Sequence, residues 1–138
     1  MTQKNILFED SAVKEVLKVL RSKFNYAWHT YKLINKNRYA IVKGWGSENI
    51  AILLKSDFFN TFGEKFSGLG EKGIGDSINV GSLKQFISQE VRYIYVMFRD
   101  GKIYTISLFD FLCKSHKWVQ KEGTEVRSIS IHHYKRLN

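Results

Sequence analysis

Hydrophobic and polar positions alternate along this chain with two different periods, and the switches between them mark the elements. Val13, Val16, Leu17, Leu20 and Phe24 recur at i, i+3, i+4 spacing, with Lys14, Lys18 and Arg21 on the opposite side. That pattern predicts an amphipathic helix over about residues 11–24. Asp10 or Ser11 is placed to cap it, by accepting from the free N–H groups of its first turn. Tyr26 to Ile34 is rich in aromatic and β-favouring residues, and Asn35-Lys36-Asn37 is a turn signal. Arg38 to Lys43 reads as a second strand, and Gly44 to Asn49 as the next turn. Ile50 to Lys55 is apolar at almost every position, as expected of a strand covered on both faces. Two short turns in succession predict an antiparallel three-stranded meander.

The second half carries fewer strong signals. Ser56 to Ile74 is glycine-rich and reads as a long loop, and Ser77 to Val80 as a short extended piece. Leu83, Phe86 and Ile87 predict a helix over about 82–90. Val91 to Phe98 and Ile103 to Ile106 form a hairpin across Arg99-Asp100-Gly101-Lys102. Ser107, with Asp110 three residues later, resembles a capping box for a helix over about 108–117. Val126 to Ile131 alternates like a strand, and His132 to Leu137 reads as a final turn or short helix. The expected fold is a single α/β domain spanning residues 1–138. Its central mixed sheet follows the order αβββαβ, with a C-terminal hairpin-helix-strand extension.

Composition narrows the function. The chain has 138 residues, of which 43% are hydrophobic and 14% aromatic. That content excludes a disordered tail and supports a packed core. No apolar run approaches the roughly 20 residues of a spanning helix, so no membrane partner is expected. The N-terminus shows no signal-peptide pattern. The single Cys113 excludes an internal disulfide framework and fits a reducing, intracellular and cytoplasmic setting. The formal charge is +9. Residues 1–43 hold nine basic and three acidic residues, residues 44–110 seven and eight, and residues 111–138 six and two. The stretch from Val16 to Ser47 contains Lys18, Arg21, Lys23, Lys32, Lys36, Arg38 and Lys43 and no carboxylate, interleaved with Trp28, Tyr31 and Trp45 among other aromatics. Such a surface neutralises phosphates and releases counterions, and its aromatics can stack on unpaired bases. The expectation is a nucleic-acid-binding domain. Lys18, Arg21, Lys32, Lys36, Arg38 and Lys43 are the backbone contacts, and Trp28, Tyr31 and Trp45 the stacking groups. The C-terminal bases could extend the same surface. A competing reading is a viral or plasmid interaction or structural module whose basic face meets an acidic partner. Exposed aromatics would also serve a homodimer.

The order of the first six elements resembles the core of the restriction-endonuclease-like nucleases, the PD-(D/E)XK superfamily, over roughly residues 11–99. The stretch from Gly101 to Arg136 is similar, more loosely, to tails appended to such domains. The resemblance implies carboxylates that hold Mg²⁺ at the sheet edge, with a lysine beside them. The motif places an acid on the second strand and an acid-x-Lys on the third. Here Arg38 to Lys43 carries no acid, Lys55 matches the motif lysine, and Leu53 stands where its acid belongs. Glu15 matches the acid that some members carry on the first helix, and Glu48 and Asp57 flank the third strand. The resemblance therefore implies a nuclease-like fold whose catalytic site has decayed and which needs no cofactor. The alternative is an Mg²⁺-dependent endonuclease using Glu15, Glu48, Asp57 and Lys55.

Three further patterns are weaker. Gly68-Leu69-Gly70-Glu71-Lys72-Gly73 matches G-x-G-x-x-G literally, but neither follows a strand nor opens a helix, so it reads as loop. Cys113, His116, His132 and His133 have the residue types of a zinc site, but a thiol beside Leu112 reads first as a buried structural group. No signature places Cys113 as a nucleophile.

Overall fold

In the computed structural model, residues 2–34, 39–55, 75–98 and 101–138 are described. The Asn35–Asn37 turn, the glycine-rich stretch 56–74 and Arg99-Asp100 lie outside them.

The apolar stripe of the first segment builds helix α1 (Thr2–Phe24). Val13, Val16, Leu17 and Leu20 are buried on it, and each contributes about 2 kcal/mol on removal from water. The helix starts well before the expected cap. Asp10 is not a cap but a mid-helix residue, with its carboxylate 3.1 Å from Lys14 Nζ one turn on and accepting from the Tyr31 hydroxyl at 2.6 Å. Both contacts suit the charged Asp10, so helix continues through a residue that alone favours caps. At the other end Asn25 takes the left-handed conformation, φ 55°, and its N–H reaches back to Arg21 O. Phe24 ends the expected stripe but is 61% exposed.

Strands β1 (Trp28–Ile34), β2 (Tyr39–Gly44) and β3 (Asn49–Lys55) follow as the predicted antiparallel meander. Next come β4 (Gly75–Asn79), α2 (Val80–Ser88), β5 (Val91–Phe98), β6 (Ile103–Ser107), α3 (Leu108–Lys114), β7 (His116–Val119), β8 (Glu125–Ser130), a 3₁₀ turn at Ile131–His133 and β9 (Lys135–Arg136). The main sheet has the order β1-β2-β3-β5-β6-β9, with β3 and β5 parallel and its other pairs antiparallel. A second sheet, β4-β8-β7, is antiparallel.

The fold is thus mixed α/β, as the patterning predicts, but the second sheet is additional. Helix α3 stops at Lys114 because Ser115 turns extended. The Arg127 guanidinium holds that turn, donating to Ser115 Oγ, Ser115 O and Leu112 O. His116 to Val119 then pairs with β8 instead of continuing the helix. Ser107 caps α3 as expected, its hydroxyl accepting from Asp110 N–H at 3.0 Å. Asn79 does the same for α2, through Gly81 N–H at 2.7 Å.

Strand alternation divides the core in two. On one face α1 packs against Ala40, Val42, Ile50, Ile52, Leu54 and Ile103. On the other, Leu83 and Phe86 of α2 and Leu108 and Phe111 of α3 meet Tyr39, Ile41, Leu53, Ile94 and Val96, with Ile78 and Ile129 joining from the second sheet. Strand β3 is buried along its centre on both sides, as its unbroken apolar run predicts. Among the described residues no helix is long and apolar enough to cross a membrane.

Candidate nucleic-acid interface

The β1–β2 pair is the part of the basic stretch where structure gathers the expected residues. Trp28 pairs with Gly44 but Thr30 pairs with Lys43, so His29 is one extra residue on β1. A bulge of this kind redirects a side chain. His29 stacks on Trp45, ring centroids 4.0 Å apart and planes 25° from parallel. Trp45 is 63% exposed, and its backbone N–H donates to Ala27 O at 3.0 Å. The turn that carries it is clamped to the helix layer: Gly44 N–H donates to Asn49 Oδ1, and Asn49 Nδ2 donates to Gln89 O.

After the bulge, Thr30, Lys32 and Ile34 share a face of β1, and Tyr39, Ile41 and Lys43 share the same face of β2. Together with Gln85 of α2 and Gln89, which caps the C-terminus of that helix, they line an open cleft of about 640 Å³. Lys32 pairs with Ile41 and Thr30 with Lys43, so Lys32 and Lys43 are diagonal neighbours, roughly 7 Å apart between Cα atoms. Lys43 Nζ donates to Gln89 Oε1 at 2.8 Å. A neutral amide fixes the ammonium in place and leaves its charge intact. Among the described residues no carboxylate lines this cleft, and Lys18, Arg21, Lys32 and Lys43 make no ion pair.

The other expected contacts are not on this face. Lys18 and Arg21 are exposed on α1, on the opposite side of the sheet. Lys36 and Arg38 lie outside the described residues. Lys135 and Arg136 sit on β9, at the far edge of the sheet from β1, roughly 24 Å away across five strand spacings. The surface expected to join α1, the hairpin and the C-terminal end is therefore split across both faces and both edges. The stacking groups divide likewise. Trp28 and Tyr31 are half-buried against the α1-side core. The Tyr31 hydroxyl donates to Asp10, and burial together with that carboxylate pushes its pKa up to about 12. Asp10 is held below the ordinary carboxylate value, first by Tyr31 and then by Lys14. Trp45 is the expected stacking group left with a largely exposed ring. His29, its partner, was not singled out by the sequence, because a bulge leaves no compositional mark.

The residues of the nuclease motif do not converge. Glu48 precedes β3 and Lys55 ends it, roughly 23 Å apart at strand rise. Glu15 is exposed on α1, on the other side of the sheet from Lys55. Lys55 Nζ donates to Ser77 O at 2.8 Å, tying β3 to β4. Leu53, at the position of the motif's acid, is 4% exposed within the core and pairs with the buried Tyr39 of β2. Asp57 lies outside the described residues. Among those residues no three His, Cys, Asp or Glu side chains cluster to hold a metal ion. Cys113, expected buried, is exposed, because Phe111 rather than Cys113 takes the inward position of the short α3. His132 and His133 lie in the 3₁₀ turn with ring centroids 4.3 Å apart. Burial, His132 and Lys114 keep His133 below the ordinary histidine value.

The chain matches no family model, no curated protein and no solved structure.

Proposed function

We propose that this is a nucleic-acid-binding domain whose phosphate contacts are made in the β1–β2/α2 cleft. One observation carries the reading: Lys32 and Lys43 are diagonal neighbours across the β1–β2 pair in an open cleft lined, among the described residues, by amide, hydroxyl-bearing and apolar side chains and by no carboxylate. Paired cations without internal counterions suit a polyanion, whose binding releases condensed counterions. Gln85 and Gln89 add neutral donors and acceptors beside them. A catalytically decayed nuclease-like fold remains part of this proposal and rests on element order alone. Its chemistry gains no support from Leu53, which stands where the third strand of the motif calls for an acid, or from β2, which carries no acid.

The test is a fluorescence-anisotropy titration of the whole chain with a labelled oligonucleotide across a salt series. Binding at about 50 mM salt should weaken steeply by about 200 mM. Lys32→Ala with Lys43→Ala should reduce the salt slope by roughly 0.7–0.9 for each contact removed. No binding at about 50 mM salt, or a slope unchanged in the double variant, would refute the reading.

A further inference from the structure

We infer that the cleft takes single-stranded nucleic acid, with an unpaired base stacked on Trp45. This rests on the nucleic-acid reading and adds the strand class to it. Trp45 is 63% exposed, which forfeits most of the burial that usually places an indole in a core. It is nevertheless held in place. His29, turned out by the bulge, covers part of the indole at a 4.0 Å centroid distance. The backbone N–H of Trp45 is tied to Ala27 O. Gly44 before it is wedged against the turn, and Gly46 after it takes φ 66°. An exposed ring that is ordered by its own backbone loses little conformational freedom when a ligand covers it.

The location adds the second half of the argument. Lys43 is two residues before Trp45, and Thr30, its partner across the strands, follows His29. The indole thus adjoins the cleft without lining it, and a base lying on it would have Lys43 two residues away as its nearest phosphate partner in the cleft, with Lys32 diagonal to Lys43 on the strand pair. Stacking of this kind accepts any base but requires an exposed ring face, and inside a duplex each base face is already covered by its neighbours. Single strands offer those faces freely, and a positively charged groove beside an aromatic platform is how such strands are held. DNA and RNA share this chemistry.

The experiment compares labelled oligo-dT, oligo-U and a DNA duplex of equal length on the whole chain, using wild type, Trp45→Ala, Trp45→Phe and Lys43→Ala. Because Trp45 is exposed, both Trp45 variants should fold, which circular dichroism checks. Both single strands should bind more tightly than the duplex. Trp45→Ala should weaken single-strand binding roughly tenfold, leaving duplex binding and the salt slope unchanged. Trp45→Phe should restore most of the loss, whereas Lys43→Ala should weaken both strand classes and lower the slope. A gap between oligo-dT and oligo-U would show which sugar the site prefers. Salt-dependent binding with no strand preference, or with no effect of Trp45→Ala, would overturn the inference and leave the nucleic-acid reading standing. Absence of all binding would overturn both. A change of oligomeric state in Trp45→Ala with unchanged strand binding would assign the ring to a self-contact, and would also overturn the inference.

Discussion

Replacing Phe86 by alanine is expected to lower the unfolding free energy by about 3–5 kcal/mol. Phe86 is fully buried on α2 and meets Tyr39 edge-on, with centroids 5.0 Å apart and planes at 90°. Leu83, Ile78 and Ile129 belong to the same buried cluster, in which the helix, the main sheet and the second sheet meet. Alanine removes its dispersion contacts and leaves a cavity whose walls belong to three separate elements, which limits how far the site can collapse. Since domains of this size are stable by only about 5–15 kcal/mol, the variant should be marginal. Urea unfolding followed by circular dichroism should show a lower midpoint with an unchanged slope. Tyr39 lines the cleft with Gln85 of the same helix and Gln89 at its C-terminal cap, so the loss should also weaken oligonucleotide binding. A midpoint shift worth less than about 1 kcal/mol would mean that α2 does not pack as described.

Gly44→Ala is the second large effect, at about 3 kcal/mol. A Cβ there would stand 2.1 Å from Ser47 O and 2.6 Å from Glu48 O. Both are backbone atoms, so no rotamer change relieves the overlap and the β2–β3 turn must open. Opening it loosens the Gly44 N–H contact to Asn49 and frees Trp45 from its place over His29. Gly46→Ala is the control: its Cβ meets open space but its φ is 66°, which costs about 1–2 kcal/mol. Thermal unfolding of both variants, read alongside tryptophan fluorescence, should show the larger destabilisation and the altered emission in Gly44→Ala. Equal stabilities in the two variants would contradict the turn geometry.

How far these features could be read from the sequence follows their physical range. Val13, Val16, Leu17 and Leu20 announce α1 because helical periodicity is local, and Ile50 to Leu54 announces a doubly covered strand for the same reason. Ser107 is legible as a cap because its partner is three residues away. The extension of α1 through Asp10 was not legible, since Asp10 reads locally as a cap and its partner Tyr31 lies twenty-one residues on. Strand β7 was missed because His116 to Val119 is short and polar, and its ladder lies on β8. The candidate site was half legible. Lys32, Lys43 and Trp45 stand out in an acid-free stretch, but charge counted along a chain says nothing about faces. Sheet topology puts Lys18 and Arg21 across the sheet from Lys32 and Lys43. Gln85 and Gln89 enter only because α2 packs over Tyr39 and Ile41.

Amide chemical-shift mapping of the isotopically labelled chain, titrated with a single-stranded oligonucleotide at about 50 mM salt, decides whether the β1–β2 face is the interface. If it is, the largest shifts fall on His29 to Lys32, on Lys43 to Trp45 and on Gln85 and Gln89, and they fade as salt is added. No shifts, or shifts confined to Lys18 and Arg21 on α1 or to Lys135 and Arg136 on β9, would contradict it.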